Sequence, residues 1–223
     1  MKSYGEYCAI AKSLDVVGDR WTLLIVRELS LRGACRYTDL RNGLPGIATN
    51  LLADRLRELE EKGVVSREEA PPPIATALFR LTPRGDELRP VLDELTRWGL
   101  PFMTEPNTDD AVRSHWLAGA IEMLLEDREP EQAPVSIELQ IGDQPITLKL
   151  AGRVDVSLGP APDPDLTIAG PPTPVLGLLL GLLGRGDAKK RGVTIGGNAA
   201  LLDRLGGEPI KAPDSLASPS ATT

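Results

Sequence analysis

One helix limits the folds open to this chain more than any other segment. It is encoded by PGIATNLLADRLRELEEKG, residues 45–63, in which Pro45-Gly46 signals a turn and Gly63 ends the helix. Its apolar residues share one helical face: Ile47, Leu51, Leu52, Leu56 and Leu59. Its first turn instead carries small and polar residues: Ala48, Thr49 and Asn50. This leucine-anchored helix therefore packs along most of its length, while its first turn faces something other than the core.

Three further helices are predicted before the leucine-anchored helix. The spacing of apolar residues indicates helices over residues 6–17, 20–33 and 37–44. Asp19 is placed to cap the second of them, because its carboxylate can accept from the free N–H groups of the first turn. Short glycine-containing connections between the helices predict that consecutive helices pack against one another.

A hairpin and a long helix follow the leucine-anchored helix. Residues 64–69 and 77–81 read as two short strands, and a run of three prolines lies in the loop between them. Thr82 and Pro83 begin a helix with these apolar positions: Leu88, Val91, Leu92, Leu95, Trp98 and Phe102. The three helices that end with the leucine-anchored helix, the hairpin and the flanking helix together predict a winged helix-turn-helix domain.

A winged helix-turn-helix domain places the third helix of its core in the major groove of double-stranded DNA. The polar first turn then faces base edges, because Asn can pair with adenine and Thr can contact the thymine methyl group. Arginines further along the helix suit phosphates, and so do residues that open the preceding helix and those on the hairpin. The predicted DNA-binding residues are Arg36, Tyr37, Ala48, Thr49, Asn50, Arg55, Arg57 and Arg80.

Two of these assignments have alternatives. Arg80, like Arg67, is either a contact of the hairpin to DNA or a cross-strand partner of Glu68 or Glu69. Arg36 and Tyr37 are either phosphate contacts or a solvated surface pair.

The charge of the chain is divided unequally. The formal net charge is −7, yet residues 1–104 hold 15 basic and 15 acidic residues, so the excess acid lies in the remainder. Residues 32–57 contain five arginines, with only Asp39 and Asp54 as acids. This asymmetry predicts two domains with different partners, and it leaves the arginine-rich segment as the face that DNA can approach.

The second half of the chain follows a different pattern. Residues 135–141, 146–150, 154–158 and 166–168 alternate between apolar and polar residues, which predicts an antiparallel meander and hence an α+β fold. An amphipathic helix precedes the strands and ends near residue 127, and Asn198 is placed to cap a last short helix.

One helix of this half is apolar on every side. Residues 175–183 are all leucine, valine or glycine, so this helix either lines a cavity or is buried in a core or a dimer interface. The predicted ligand-binding residues come from this helix and from the strands: Leu139, Leu148, Leu150, Val175, Leu176, Leu179, Leu180 and Leu183.

The first half resembles a known family. The motifs LDVVGDRWTLLIVREL, RYTDLRNGLPGIATNLLADRLRELEEKGVV and RLTPRGDELRPVLDELTRWG are similar to those of the HxlR-type winged-helix regulators of bacteria, over roughly Cys8 to Phe102. The resemblance implies a homodimeric transcription factor that pairs through its first and last helices and is often a repressor. Cys8 lies where many of these proteins carry a cysteine that senses electrophiles or oxidants, although Ala9 follows it here in place of the usual proline.

The second half resembles another fold. The segment GRVDVSLGPAPDPDLTIAG, followed by an apolar helix, a basic patch and VTIGGN, is similar to the sterol carrier protein type 2 domain over roughly Asp110 to Gly207. That resemblance implies a hydrophobic tunnel for lipids or fatty-acyl chains. The expected organisation is a DNA-binding domain at residues 1–104, a ligand-binding domain at 110–210 and a disordered tail at 211–223.

Several classes of function are not expected. The single histidine, His115, and the two cysteines offer no metal site, no cofactor is implied, and no paired-carboxylate or Ser/His/Asp arrangement suggests an enzyme. The longest apolar run, residues 174–184, is too short to span a membrane, so a cytoplasmic protein is expected. Cys35 lies among Arg32, Arg36 and Arg41, which would lower its pKa if the thiol were exposed.

Together with what the two resemblances imply, these patterns predict a repressor that binds a palindromic operator as a homodimer and responds to a hydrophobic small molecule in its second domain. Two alternatives stay open. The second domain is structural and signals enter through Cys8 or Cys35, or the chain is a lipid or acyl carrier whose winged helix does not bind DNA.

Overall fold

A computed structural model describes residues 3–69, 76–103 and 109–207. The chain divides into two compact units, Met1–Glu94 and Leu95–Thr223. The division between the two units falls inside a helix. The sequence analysis instead ends the first domain at residue 104 and begins the second at residue 110. The proline-rich loop and the C-terminal tail of the sequence analysis lie outside the described residues.

The first unit contains helices followed by a hairpin. Its helices are α1 (Ala9–Val17), α2 (Thr22–Arg32), α3 (Tyr37–Gly43), α4 (Thr49–Glu61), α5 (Pro83–Asp86) and α6 (Arg89–Gly99), the last of which continues into the second unit. Its strands are β1 (Cys35–Arg36), β2 (Val65–Glu69) and β3 (Ala77–Leu81). They form an antiparallel sheet in the order β1-β3-β2, so β1 extends the hairpin by one short strand.

The leucine-anchored helix is α4, and its apolar face is buried as predicted. Leu52, Leu56 and Leu59 lie in one cluster with Ile25 and Leu29 of α2. Burying a leucine side chain contributes about 1.5–3 kcal/mol relative to leaving it exposed. The three leucines therefore fix α4 firmly to the rest of this unit.

Several helix boundaries differ from the prediction: α1 begins at Ala9 instead of residue 6, and the helix expected to end near residue 127 ends at Leu124, before a short strand. The second helix begins at Thr22, because Trp21 takes a left-handed backbone conformation (φ 79°) and its side chain packs against the core. Asp19 consequently does not cap this helix. The long last helix is interrupted between Asp86 and Arg89, and Thr82 caps its first short piece by accepting from the backbone N–H of Gly85 at 3.1 Å.

The second unit contains a five-stranded sheet with helices before and after its strands. Its helices are α7 (Ser114–Leu124), α8 (Pro172–Leu179) and α9 (Arg185–Lys190), with 3-10 helices at Leu100–Phe102 and Ala199–Arg204. Its strands are β4 (Glu126–Asp127), β5 (Val135–Gln140), β6 (Ile146–Leu150), β7 (Val154–Leu158), β8 (Leu166–Ala169), β9 (Thr194–Gly197) and β10 (Leu205–Gly206). The sheet order is β7-β6-β5-β8-β9, and β4 pairs separately with β10.

The predicted antiparallel meander is correct for β5, β6 and β7 and wrong for β8. After β7 the chain returns to the other edge of β5, and β8 pairs with β5 in parallel, so the sheet is mixed. The Asp165 carboxylate accepts from the backbone N–H of Ser136 at 2.8 Å, and the backbone N–H of Asp165 donates to the Ser136 carbonyl at 2.9 Å. These bonds fix the start of β8 beside β5.

The apolar segment is shorter as a helix than predicted. α8 ends at Leu179, and Gly181 reverses the chain with φ 69°. The basic residues Lys189 and Lys190 that follow lie in the last turn of α9. The sequence analysis did not predict this helix. Asn198 caps the last helix as expected, accepting from the backbone N–H of Ala200 at 3.2 Å, although that helix is of the 3-10 type. Within the described ranges, no helix has the length and hydropathy that a membrane crossing requires.

Candidate nucleic-acid interface

The first turn of α4 is exposed at the surface. Ala48, Thr49 and Asn50 are all exposed, while Leu52 in the next turn is fully buried. Ala48 holds the N-cap position in an extended conformation, and no side chain of the described residues caps the helix there. The first N–H groups of a helix carry partial positive charge and suit a phosphate oxygen. This turn therefore offers polar side chains and backbone donors on the same surface.

Tyr37 joins the starts of α3 and α4. Its hydroxyl donates to the backbone carbonyl of Thr49 at 2.5 Å, and its ring packs against the core. Arg36, beside it, is exposed at the N-cap of α3, where its backbone N–H donates to the Asp39 carboxylate at 3.0 Å. The structure thus brings the predicted residues of both helices together, with Tyr37 in a positioning role.

Asn50 is engaged locally. Its side-chain oxygen accepts from the backbone N–H of Leu51 at 3.0 Å. Pairing with adenine uses both the donor and the acceptor of an asparagine side chain. Because an amide oxygen has two lone pairs, this local bond leaves it able to accept a second hydrogen bond from a base.

Arg55, which was predicted to contact a phosphate, takes part in ion pairs within the protein. Its guanidinium pairs with Asp19 at 2.9 Å and also with Glu58, and the side chain is only 18% exposed. Because these ion pairs already occupy it within the protein, Arg55 fixes α4 to the segment between α1 and α2. The sequence could not reveal this role, since the displacement of Asp19 from its capping position was not predicted.

The other two arginines are more accessible. Arg57 pairs with Asp54 one turn earlier at 2.8 Å, yet its side chain is 66% exposed. Arg80 on β3 pairs with Glu68 on β2 at 3.2 Å, which is the cross-strand alternative of the sequence analysis. Exposed pairs of this kind contribute little to stability, so both arginines can exchange partners with a phosphate at small cost.

One charged residue in this unit was not singled out from the sequence. Glu28 on α2 is completely buried, and its carboxylate accepts from Arg27 at 2.8 Å and from Arg32 at 3.0 Å. Gly43 at the end of α3 packs so closely that a methyl group there would lie 2.1 Å from the carboxylate. The signal in the sequence is an acid at a core-facing helical position, with arginines one residue before it and four residues after it.

The two cysteines differ in environment. Cys35 is buried, and loss of solvation raises the pKa of its thiol to about 11 in spite of Arg32 nearby. The hypothesis of an arginine-activated thiol there is therefore wrong, because burial outweighs the charge. Cys8 is exposed at the N-cap of α1, where the backbone N–H groups of Ala11 and Ile10 lower the pKa of its thiol.

The predicted ligand-binding residues fall into two groups. Leu176 and Leu180 line a cavity of about 390 Å³ in the second unit. The others belong to the buried hydrophobic cluster of this unit: Leu139, Leu148, Leu150, Val175, Leu179 and Leu183. The alternation of a strand marks its buried face but does not tell whether a cavity adjoins that face, which explains the difference.

Sequence comparison identifies the first unit. The sequence model of a family described as HxlR-like helix-turn-helix matches residues 16–107. The HTH-type transcriptional regulator YvaP of Bacillus subtilis is 37% identical over 92 residues, which are 41% of this chain and 84% of YvaP. The chain belongs to the HxlR-like helix-turn-helix family. Its α4 is thus the third helix of the winged helix-turn-helix core.

Other relatives of this HxlR-like protein are regulators as well. The HTH-type transcriptional regulator sll1512 of Synechocystis is 32% identical over 105 residues, covering 47% of this chain and 77% of sll1512. The solved structure of the reduced form of the transcriptional regulator YodB from B. subtilis is 29% identical, with a TM-score of 0.39, and the match covers 46% of this chain and all of that one. The comparisons indicate a DNA-binding transcriptional regulator and no enzyme family.

Proposed function

We propose that this protein is a repressor that binds a palindromic operator as a homodimer and responds to a hydrophobic small molecule in its second unit. The observation that carries the proposal is the exposed polar turn at Thr49 and Asn50, on a helix whose leucines anchor it to the core. A rigid helix with readable side chains at its exposed end suits insertion into a major groove.

Exposed apolar side chains on α1 and α6 support the homodimer. Ile10 is 72% exposed on α1, and Trp98 is 69% exposed on α6. Residues of α1 and Val91 of α6 line one groove of about 580 Å³, so these helices are neighbours in the first unit. Large exposed apolar side chains favour a protein partner over water. A second copy of the chain would cover them and set the two α4 helices about 34 Å apart, as a palindrome requires.

The second unit supports the regulatory part of the proposal. It resembles the sterol carrier protein type 2 domain in sequence, and it contains a cavity beside the apolar helix α8. A ligand regulates DNA binding only if it binds the DNA-competent and incompetent states unequally. The ligand would do so by changing the separation or rigidity of the two α4 helices in the dimer.

Cys8 supports a second candidate, regulation by oxidants or electrophiles. Its thiol is exposed and has a lowered pKa, and thiolate is the reactive form of cysteine. Release of bound DNA by diamide in the native protein, and its absence in Cys8→Ser, would favour this candidate. Release by apolar molecules in both proteins would favour the ligand.

The DNA-binding proposal is tested with duplexes from the region upstream of the protein's own gene. Thr49→Ala and Asn50→Ala are each expected to cost about 1–3 kcal/mol on the specific site while sparing nonspecific binding, because they remove base contacts. Fluorescence anisotropy at several salt concentrations measures both. Glu61→Ala, at the other end of α4, serves as the control and should leave sequence preference unchanged.

Two outcomes contradict the proposal. If both variants retain the sequence preference of the native protein, the exposed turn does not read bases. If the native protein shows no salt-dependent binding to any duplex, the lipid-carrier alternative is favoured.

A further inference from the structure

The segment between α1 and α2 contacts both α4 and the turn that precedes it. Asp19 pairs with Arg55, in the second turn of α4, at 2.9 Å. The Cη2 atom of the Trp21 ring would lie 3.9 Å from a methyl group added to Gly46, so the ring lies against the turn before α4. Arg20 stands between these two contacts in the chain. It is therefore placed beside the exposed first turn of α4.

The backbone of this segment is strained. Trp21 is the only residue other than glycine with a positive φ, 79°, in the part of the chain that the structure describes. Such a conformation is costly for a bulky residue and persists only where the surrounding contacts impose it. The Trp21 ring packs against the hydrophobic cluster of the first unit, whereas the Arg20 side chain is exposed. Strain of this kind concentrates at binding sites, which makes Arg20 a candidate contact.

The Trp21 ring also supports the guanidinium of Arg20. The Cζ atom of Arg20 lies over this ring, 5.7 Å from its centre, which is within the range of about 6 Å for a cation–π interaction. No carboxylate among the described residues pairs with Arg20, in contrast to Arg55 and Arg57. A guanidinium stacked by its face keeps the N–H groups at its edge free, and a phosphate can accept two of them at once. Arg20 thus offers an oriented positive charge at the surface.

We infer that Arg20 contacts a DNA phosphate beside the first turn of α4, and that Trp21 is the residue that positions its guanidinium. The inference rests on the proposed function, since it adds a contact to the same DNA interface. The phosphates of the two strands flank a major groove about 12 Å wide, so a helix in the groove has a phosphate backbone on either side. An arginine beside the first turn of α4 then meets a phosphate while that turn meets base edges. Such a contact fixes the orientation of α4 and carries no sequence information.

The salt dependence of binding tests the contact. Arg20→Ala should weaken binding to every duplex by about tenfold at low salt and reduce the slope of log affinity against log salt concentration by about one. Lys62→Ala is the matched control, because it removes the same charge from an exposed residue at the other end of α4, about 20 Å from the first turn by the rise of a helix. An unchanged slope in Arg20→Ala, or an equal reduction in the control, would overturn the contact.

Ethylation interference on the bound duplex locates the contact. Ethylation removes the charge of a phosphate, so a position that interferes with the native protein should not interfere with a variant that lacks the contacting arginine. Arg20→Ala should lose one interfering position per bound chain, and this position should differ from the one that Arg57→Ala loses. Loss of the same position in both variants, or of none in Arg20→Ala, would overturn the assignment.

A double-mutant cycle tests the role of Trp21. Trp21→Phe keeps an aromatic ring in the cluster but interacts less favourably with a cation. It should weaken duplex binding by about threefold in the native background and have no effect in the Arg20→Ala background. An equal loss in both backgrounds would show that Trp21 acts on the fold alone and would overturn its positioning role.

The native protein separates this inference from the proposed function. If its binding to duplexes shows no salt dependence, the proposed function and the inference both fail. If the native protein binds with a salt-dependent affinity and Arg20→Ala binds with the same slope, the inference alone fails.

Discussion

The arginines of α4 show how one residue type takes different roles on a single helix. Arg55 is enclosed by Asp19 and Glu58, whereas Arg57 projects from the surface beside Asp54. A phosphate contact releases counterions and so determines the salt dependence of DNA binding. The accessible residue is therefore the one expected to contribute to that dependence.

This difference gives a prediction for the two arginines. Arg57→Ala should weaken binding to all duplexes and reduce the slope of log affinity against log salt concentration by about one, as the loss of one phosphate contact requires. Arg55→Ala should leave that slope unchanged and lower the free energy of unfolding by about 1 kcal/mol, because it removes ion pairs within the protein. Anisotropy titrations measure the slope, and urea denaturation measures stability. A reduced slope in Arg55→Ala would show that Arg55 also contacts a DNA phosphate.

Close packing at Gly43 gives a second prediction. Gly43→Ala should destabilise the protein by about 1–3 kcal/mol, because the added methyl group displaces the buried Glu28 carboxylate from its two arginines. Urea denaturation followed by circular dichroism measures the loss. Gly186→Ala is the matched control, since that helical glycine has open space around it and alanine favours a helix. A Gly43→Ala variant as stable as this control would show that Glu28 moves without cost.

The residue scale also shows how much of the candidate interface the sequence could predict. The spacing of the leucines places them on the buried face of α4. That spacing alone therefore predicted that Thr49 and Asn50 are exposed. The pairing of Arg55 with Asp19 occurs beside a left-handed backbone at Trp21. A non-glycine residue in that conformation is uncommon, and no pattern in this sequence predicted it.

At the scale of elements, one buried ion pair joins the last 3-10 helix of the second unit to β4. Arg204, at the end of the last 3-10 helix, makes two hydrogen bonds to Asp127 of β4, at 3.1 and 2.7 Å, and also donates to the carbonyl of Ala133 at 2.9 Å. Both side chains are almost completely buried. The pair lies beside the ladder between β4 and β10, so it fixes the C-terminal end of the unit to the segment after α7.

The pH dependence of stability should report this pair. The hydrogen bonds from Arg204 are the largest influence on Asp127 and lower the pKa of its carboxyl in the folded protein. Its stabilising effect is therefore complete above the unfolded pKa of about 3.9 and is lost as the pH falls through the lower, folded value. Urea denaturation between neutral and acidic pH should show this loss in the native protein.

Substitution separates the buried pair from other acids. Asp127→Asn should cost about 3–5 kcal/mol at neutral pH, because Arg204 stays buried without a counter-charge, and should reduce the acid-dependent loss. Asp187→Asn is the control, since its pair with Lys190 is exposed at the surface. An acid profile of Asp127→Asn identical to that of the native protein would contradict the assignment.

The elements also show where sequence patterns stop being informative. Alternation predicted the four strands β5 to β8, because it reports which face of a strand is buried. The same alternation is compatible with parallel and antiparallel neighbours, so it could not predict that β8 pairs with β5. That pairing depends on the crossover, where the Glu138 carboxylate accepts from the backbone N–H of Ala161 at 2.9 Å. Contacts distant in sequence decide the topology.

At the scale of the whole molecule, charge and assembly act together. The residues after 104 carry the entire excess of negative charge, so on the proposed function we expect DNA to be repelled from them and to approach the arginine-rich segment. A single α4 offers few base contacts, and a palindrome supplies two half-sites. Affinity for the operator should therefore depend strongly on the dimer, while nonspecific binding should depend on it less.

Breaking the proposed dimer tests this dependence. Trp98→Glu places a charge in the middle of the exposed apolar face of α6, where a second copy would bury it, so sedimentation should show monomers at concentrations where the native protein is dimeric. Operator affinity should fall by about tenfold or more, because the two half-sites no longer bind as one unit. Leu158→Glu is the matched control, since it places the same charge on an exposed leucine of β7, a strand that the proposed dimer does not use. If Trp98→Glu dimerises and binds the operator as the control does, the dimer forms through another surface.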